Sequence, residues 1–401
     1  MNPHRLRRLP LALLLLLLPL AATGSPHRPE SPDTVLIRLP GILGFPSIPV
    51  PSNPAPSPNA IPDPRPSDAS LTVAAEATKA ARELILAARR DADPRLLGRA
   101  RLHLRPWWRS AEAPVEILLL RAEIRQGLHE FPTALEDVDL ALRRDPRNAA
   151  AWLLKANLNQ VLGDYDSARL ACLQLARFAD PLIAVTAAAS VQSLRDGSPT
   201  SALLLENEIR NSTAANPSVR AWAFVTLGEI HARQGDAASA ESAFRKALEI
   251  ESGNPYVLAA LADLLLGAGR APEVVALLRD ASAEALRLRR MEALQVTAPD
   301  DLDTRRLREE ITDSFALARE RNDELHLREQ SRFTLRILND ANEAFRLARR
   351  NWALQKEPAD LEVLVDAARA VGDATELENA LGWARRFQPA VLAQLNRRQQ
   401  P

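Results

Sequence analysis

The sequence predicts an all-α protein built as a solenoid of stacked antiparallel helix hairpins, and three observations support this class. Apolar residues recur at steps of three and four along most of the 401 residues, which is the period of an amphipathic helix. The helix pairs repeat at intervals of about 34 residues. Runs with the alternating pattern of a β-strand are nearly absent. Because one hairpin cannot bury its own apolar face, neighbouring hairpins must stack to form the core.

The stretch 221–254 is the clearest copy of the repeating hairpin. Its two helices are separated by Gln234 and Gly235, and each carries large and small apolar residues on one side: Phe224, Leu227, Ile230, Ala240, Phe244 and Ala247. Small residues allow the two helices to approach closely, and Phe244 fills the space between them. Weaker copies precede and follow this stretch in nearly the same register, at 115–148, 149–182, 183–216 and 255–288.

These positions resemble those of the tetratricopeptide repeat. The residues on the family's spacing are Leu227, Gly228, Gly235, Asp236, Ala240, Phe244 and Ala247. The sequence departs from the family at Ser252, where a proline is usual, and at His231, where an aromatic residue is usual. The resemblance implies a right-handed superhelix whose first helices line a concave groove, and a protein or peptide partner that lies in that groove.

Carried over by repeat position, the peptide-binding residues of the groove are predicted to be Glu123, Gln126, Asn157, Gln160, Trp222, Glu229, Arg233, Tyr256 and Asp263. Trp222 and Tyr256 are candidates for anchoring a partner side chain, and packing against the neighbouring hairpin is the equally weighted alternative. The family's clamp for carboxyl-terminal peptides is not expected, because Asn157 matches it but Leu153 occupies the place of the required lysine.

Composition limits the class of partner. The 51 basic and 51 acidic residues balance, so no net charge attracts nucleic acid or a membrane surface. A single cysteine excludes an intramolecular disulfide, and Cys172 is interpreted as a small core residue. The prediction is therefore a partner made of protein, with no cofactor, no metal and no nucleic acid.

The amino terminus predicts export. Residues 1–24 contain a basic start, an apolar run from Leu9 to Leu20 and then small residues, the layout of a cleavable signal peptide. Cleavage after Ala22 or Gly24 is expected, with an uncleaved anchor as the alternative. The apolar run is short for a permanent anchor, which needs about 20 residues. The mature protein is therefore expected to be periplasmic or secreted.

The remaining boundaries follow from breaks in the helical pattern. Thirteen prolines between residues 26 and 66 predict a disordered linker over 25–68; the alternative is a peptide that docks in a groove. The other predicted segments are capping helices at 69–114, five repeats at 115–288, an irregular hairpin at 289–323, two repeats at 324–391 and a frayed tail at 392–401. This division counts seven or eight hairpins.

No catalytic constellation emerges from the sequence. It contains no phosphate-binding glycine loop, no nucleophile elbow and no pair of histidines at metal-ligand spacing. The prediction is therefore a non-enzymatic, exported scaffold that binds a partner polypeptide. Two alternatives remain: self-assembly through the ends of the solenoid, and an accessory domain of an envelope enzyme with a site in the irregular segment 291–325.

Overall fold

The computed structural model describes residues 35–38, 47–50, 68–196, 199–213, 215–321 and 324–397. Nearly all of these residues are helical and form antiparallel hairpins stacked side by side, so the predicted all-α solenoid class is confirmed. Within the described ranges, no helix combines the length and the apolar content needed to cross a bilayer.

Nine hairpins and one further helix follow one another in the described part of the chain. Their helices are α1 (Asp68–Arg90), α2 (Arg95–His103), α3 (Val115–Gly127), α4 (Phe131–Arg144), α5 (Ala149–Leu162), α6 (Tyr165–Leu175), α7 (Pro181–Asp196), α8 (Pro199–Asn211), α9 (Pro217–Gln234), α10 (Ala237–Ile250), α11 (Pro255–Gly267), α12 (Ala271–Leu277), α13 (Glu284–Thr297), α14 (Leu302–Glu320), α15 (Leu327–Arg336), α16 (Ala341–Leu354), α17 (Pro358–Val371), α18 (Ala374–Phe387) and α19 (Pro389–Arg397). A 3-10 turn, Arg105–Trp107, lies between α2 and α3.

Glycine–aspartate pairs form the tight turn inside three of the hairpins. Gly163, Gly235 and Gly372 end the first helices α5, α9 and α17 with φ values of 81°, 86° and 75°. A side chain makes this left-handed conformation costly, whereas glycine adopts it freely. In each case the next residue is an aspartate that caps the second helix by accepting a backbone N–H.

The two helices of a hairpin pack through small residues on one side and large residues on the other. At Gly228 of α9, an added Cβ would lie 2.6 Å from the ring of Phe244 on α10. Ala240 and Ala247 of α10 are fully buried in the same contact. The small-and-large pattern that the sequence shows at 221–254 is therefore a requirement of close helix packing.

The solenoid closes on itself, which the sequence analysis did not anticipate. Helix α19 packs against α7 and α9, which precede it by more than 150 residues. The largest hydrophobic cluster consequently joins residues of α1–α9 to residues of α16–α19. Two smaller clusters occupy the part of the solenoid between them, one centred on α10–α13 and one on α13–α15.

Several predicted boundaries differ from the structure. The described residues contain nine hairpins, and the first, α1 and α2, lies at the predicted capping helices. The boundary at 289 falls inside α13, which begins at Glu284. The tail from 392 was expected to be frayed, but α19 extends to Arg397 and buries Val391 and Leu395. The tail expectation failed because burial against α7 and α9 depends on the ring closure.

The proline-rich segment contains the only strands of the described residues. Strand β1 (Val35–Arg38) pairs antiparallel with β2 (Ser47–Val50), with Val35 opposite Val50. Strand β2 lies near α5 and α9. The rest of 25–67 and the predicted signal peptide at 1–24 lie outside the described residues.

Candidate partner-binding cavity

The closed solenoid surrounds a cavity of about 1550 Å³, which is larger than the pockets that usually hold a small molecule. We call it the inner cavity. First helices of successive hairpins contribute most of its walls, and α19 and the residues before α17 contribute the rest. Its polar lining includes Gln126, Gln160, Glu229, Arg233, Tyr256, Asp263, Arg289, Arg328, Glu329, Glu357 and Arg397.

Six of the nine residues predicted for the groove line the inner cavity. They are Gln126, Gln160, Glu229, Arg233, Tyr256 and Asp263. The other three do not line it: Glu123, Asn157 and Trp222 are buried at 1%, 2% and 2% exposure. In an open superhelix the groove would be exposed along its length. Here the carboxy-terminal helices pack against α7 and α9 and cover part of it.

Trp222 belongs to the hydrophobic core. Its side chain packs within the largest cluster, beside Ala223 and Val219. The structure therefore favours the packing alternative for Trp222, and its assignment as a peptide anchor is corrected. Tyr256, in contrast, faces the cavity, half-buried at the start of α11.

Tyr256 and Glu229 form the polar wall where α9 meets α11. The Tyr256 hydroxyl donates a short hydrogen bond to Glu229 Oε1. Burial raises the pKa of Glu229, and the nearby Arg233 guanidinium and the Tyr256 hydroxyl oppose this rise. Burial and the carboxylates of Glu229 and Glu357 raise the pKa of Tyr256 well above its ordinary value, so the phenol stays neutral and acts as a donor.

Asp263 on α11 belongs to an ion-pair network that joins three first helices. It accepts from Arg289 Nη2 of α13 and lies 2.7 Å from Arg332 Nη2 of α15. Arg332 also pairs with Glu292 of α13. Burial alone would raise the pKa of Asp263, but Arg289 and Arg332 outweigh it and lower that pKa. The network fixes α11, α13 and α15 relative to one another along one side of the cavity.

A second network surrounds Glu357, the residue before α17. Arg328 Nη1 of α15 donates to Glu357 Oε2 at 2.8 Å and to Asp360 Oδ1 at 3.2 Å. Asn351 donates to the same Asp360 oxygen at 2.7 Å. Burial raises the pKa of Glu357 to about 8, although Arg328 partly offsets this effect. The network therefore places a carboxyl group that titrates near neutral pH at the cavity wall.

Sequence reasoning missed Arg289, Arg328, Glu329 and Glu357 because they lie where the repeat register is lost or resumes. A signal was present: charged residues occupy buried positions of the first helices α13 and α15. On α14, by contrast, Arg305, Arg306, Glu309 and Glu310 are exposed, which is typical of charge pairs on the solvated face of a helix.

Burial also raises the pKa values of two further side chains, Glu123 and Cys172. Glu123 pairs with Arg89 Nη2 at 2.6 Å, and burial raises the pKa of Glu123 to about 6. Cys172 is buried at 5% exposure, and burial raises the pKa of its thiol to about 12. Such a thiol is a poor nucleophile and packs as a small apolar residue.

The enzyme alternative would need converging acids or histidines in the irregular segment 291–325. Glu292 pairs with Arg332 and Arg336, and His326 lies 3.7 Å from Glu284. Over the described ranges, no group of three or more histidine, cysteine, aspartate or glutamate side chains is arranged to hold a metal ion. The arrangement offers hydrogen bonds and charge at the cavity wall.

Comparisons with known proteins agree with the hairpin architecture. Residues 231–295 match the sequence profile of the tetratricopeptide repeat family. No curated protein matches the sequence. The family match centres on the α9–α13 region, where the sequence pattern is clearest.

Solved structures with similar helical repeats share little sequence with this chain. The type IV pilus biogenesis factor PilW is 15% identical, with 67% of this chain and 90% of PilW covered and a TM-score of 0.34. A tetratricopeptide repeat protein from Parabacteroides merdae is 12% identical, with 73% and 99% covered and a TM-score of 0.38. Yeast Tom70 is 13% identical, with 82% and 94% covered and a TM-score of 0.35. The tetratricopeptide repeat match at 231–295 thus lies inside a longer series of similar hairpins in the described part of the chain.

Proposed function

We propose that this protein is an exported scaffold that holds an extended stretch of a partner polypeptide in the inner cavity. The tetratricopeptide fold is a protein-interaction scaffold, and one observation carries the finer proposal. Side chains from α3, α5, α9, α11, α13 and α15 converge on one cavity. Rigid helices present both donors and acceptors there, and a polypeptide backbone requires both.

A buried polar side chain without hydrogen-bond partners supports a ligand that carries hydrogen-bonding groups. Gln126 is 1% exposed and lines the cavity, yet neither its amide oxygen nor its amide nitrogen has a partner. A buried carboxamide without partners costs about 1–3 kcal/mol. A bound peptide group would satisfy both atoms. Export is supported by the layout of residues 1–24 alone.

The test places a photo-crosslinking amino acid at Ala259 in α11, which lines the cavity. The matched control carries the same group at Ala276 in α12, which is exposed and outside the cavity. In the native envelope, we expect a discrete protein adduct from position 259 and none from position 276. Ala259→Arg, which places a long charged side chain in the cavity without removing an ion pair, should weaken capture of that same protein.

Two results would reject the proposal. Equal adducts from positions 259 and 276 would show that the cavity has no special role, and unchanged capture by Ala259→Arg would place the partner elsewhere. Self-assembly through the solenoid ends is less well supported, because the carboxy-terminal end packs against α7 and α9.

A further inference from the structure

Six arginines line the inner cavity, and two of them have no carboxylate partner. The other four pair with acids of the described chain, as Arg89 with Glu123, Arg90 with Asp91, Arg289 with Asp263 and Arg328 with Glu357. Arg233 and Arg397 also line the cavity, but neither side chain forms an ion pair with any carboxylate that the structure describes; their hydrogen bonds go to a hydroxyl and to a main-chain oxygen. We call these two residues the unpaired arginines.

The unpaired arginines lie together where α9 meets α19. The Arg397 guanidinium donates a hydrogen bond to the main-chain oxygen of Arg233, and the two helices pack against each other. Arg397 is exposed, whereas Arg233 is only 9% exposed and contacts the cavity from within the wall. This corner of the cavity therefore carries two positive charges, of which one is almost fully buried.

The buried guanidinium of Arg233 has few partners. Its Nη2 donates to the Ser193 hydroxyl at 2.8 Å, and its Nε has no hydrogen-bond partner among the described residues. Glu229 lies one turn earlier on α9, but its carboxyl group accepts from the Tyr256 hydroxyl. Burial lowers the pKa of Arg233 even though Glu229 opposes this effect. Because a buried charge without a close counter-charge is unfavourable, a carboxylate ligand would be stabilised at this position.

Neutral hydrogen-bonding groups extend from Arg233 across the neighbouring first helices. The Ser193 hydroxyl donates to Ser190 O at 2.9 Å, and the Ser190 hydroxyl donates to Gln160 Oε1 at 3.3 Å. Gln126 follows on α3, and its carboxamide lacks partners. Carboxamides and hydroxyls can bond the main chain of a peptide, but they supply no negative charge for Arg233. The row therefore fits a peptide main chain that continues from one negatively charged group.

We propose that the unpaired arginines bind the side-chain carboxylate of an aspartate or glutamate in the partner polypeptide, whose main chain continues along Gln160 and Gln126. This inference rests on the proposed function and specifies its partner as an extended segment with an acidic residue. A guanidinium can hold a carboxylate by two parallel, charge-assisted hydrogen bonds. The position differs from the family's clamp for carboxyl-terminal peptides, since the clamp's asparagine corresponds to Asn157, which does not line the cavity.

The test begins with a display library of short random peptides and the full-length protein as target. Gly-Ser segments flank each random stretch on both sides, so no peptide offers a terminal carboxylate to the cavity. We expect the selected peptides to share an aspartate or glutamate at one position. One selected peptide is then synthesised with acetyl and amide ends, in its acidic form and with glutamine in place of the acid. Isothermal titration calorimetry compares the affinities of the two forms.

Arg233→Gln is the test variant, and Arg90→Gln is the matched control, because Arg90 lines the same cavity but already pairs with Asp91. With the unsubstituted protein and with Arg90→Gln, the glutamine form of the peptide should bind about tenfold more weakly than the acidic form, a ratio equivalent to about 1.4 kcal/mol. With Arg233→Gln, the difference between the two forms should be much smaller, because only Arg397 remains to contact the carboxylate.

Three results would overturn this inference: a library that yields no binding peptide, selected peptides that share no acidic residue, or an equal loss of affinity in all three proteins. Arg397→Gln is the second variant should Arg233→Gln fold poorly, since the Arg397 side chain is exposed; it should also reduce the difference between the two peptide forms. Capture of a protein at position 259 together with any of these results would leave the proposed function standing. Absence of capture there would reject the proposed function, whichever peptides the library yields.

Discussion

Glu329 and Glu357 on the inner side of the solenoid both form ion pairs with Arg328. Burial and the neighbouring charges together set the direction of each pKa shift. Glu329 illustrates the lowering case: burial raises its pKa, but Arg328 and Arg289 outweigh burial and bring it to about 2. Glu357 illustrates the opposite case, because its burial outweighs Arg328 and its neighbours Asp360 and Glu229 add to the rise. Two glutamates near one arginine therefore have pKa values that are shifted in opposite directions.

We expect the titration of Glu357 to make the free energy of unfolding depend on pH around neutrality. Its pKa is about 8 in the folded protein, against 4.5 for the ordinary side chain. Between these values the unfolded chain ionises while the folded chain retains the proton, so ionisation favours unfolding. The stabilising contribution is fully present below pH 4.5 and is lost as pH rises to about 8. Urea unfolding midpoints measured across this range should fall with pH.

The control for this prediction is Glu357→Gln, which keeps an oxygen that can accept from Arg328 but does not titrate. Its unfolding midpoint should depend less on pH over the same range than that of the unsubstituted protein. Glu123, with a pKa of about 6, contributes a slope of the same sign in both proteins. Identical pH profiles for the two proteins would show that Glu357 is already ionised in the folded state.

At the scale of the elements, the hairpin contact could be predicted from sequence because it is local. Gly228 and Phe244 are 16 residues apart, within one hairpin, and their sizes alone indicate the close approach that the structure shows. The same locality explains α14, whose start at Leu302 follows the loop of acidic residues before it. The start of α13 was harder to place, because no capping side chain marks it.

Gly228→Ala should destabilise the α9–α10 hairpin. The new methyl group would lie 2.6 Å from the Phe244 ring, and overpacking of this kind costs about 1–3 kcal/mol. Gly267→Ala in α11 is the control, since its Cβ meets nothing within 4 Å. Because Gly267 is the last residue of α11, alanine there should stabilise the protein by less than about 0.5 kcal/mol. Urea midpoints that move the same way in both variants would contradict the packing of this hairpin.

At the scale of the whole molecule, the sequence could predict the stacking but not the closure. Each hairpin contacts its neighbour through a recurring pattern, so the periodicity indicates the solenoid. The ring closure joins Val161 to Lys356 and Tyr165 to Gln388, and these residues belong to no shared motif. The accumulated rotation from hairpin to hairpin decides whether such distant residues meet, and no single residue encodes that rotation. The predicted open groove consequently became an inner cavity, and six of the nine predicted residues still face it.

The closure also predicts a monomer. A solenoid with exposed ends can stack end to end, but here α19 covers its buried residues Val391 and Leu395 against α7 and α9. At the other end, Trp108 is buried at 8% exposure between α2 and α3, with the Arg101 guanidinium over its ring. Multi-angle light scattering of the purified protein should therefore give the mass of one chain across a wide concentration range. A stable dimer would show that one of these ends is a docking face, and it would favour the self-assembly alternative over a monomeric scaffold.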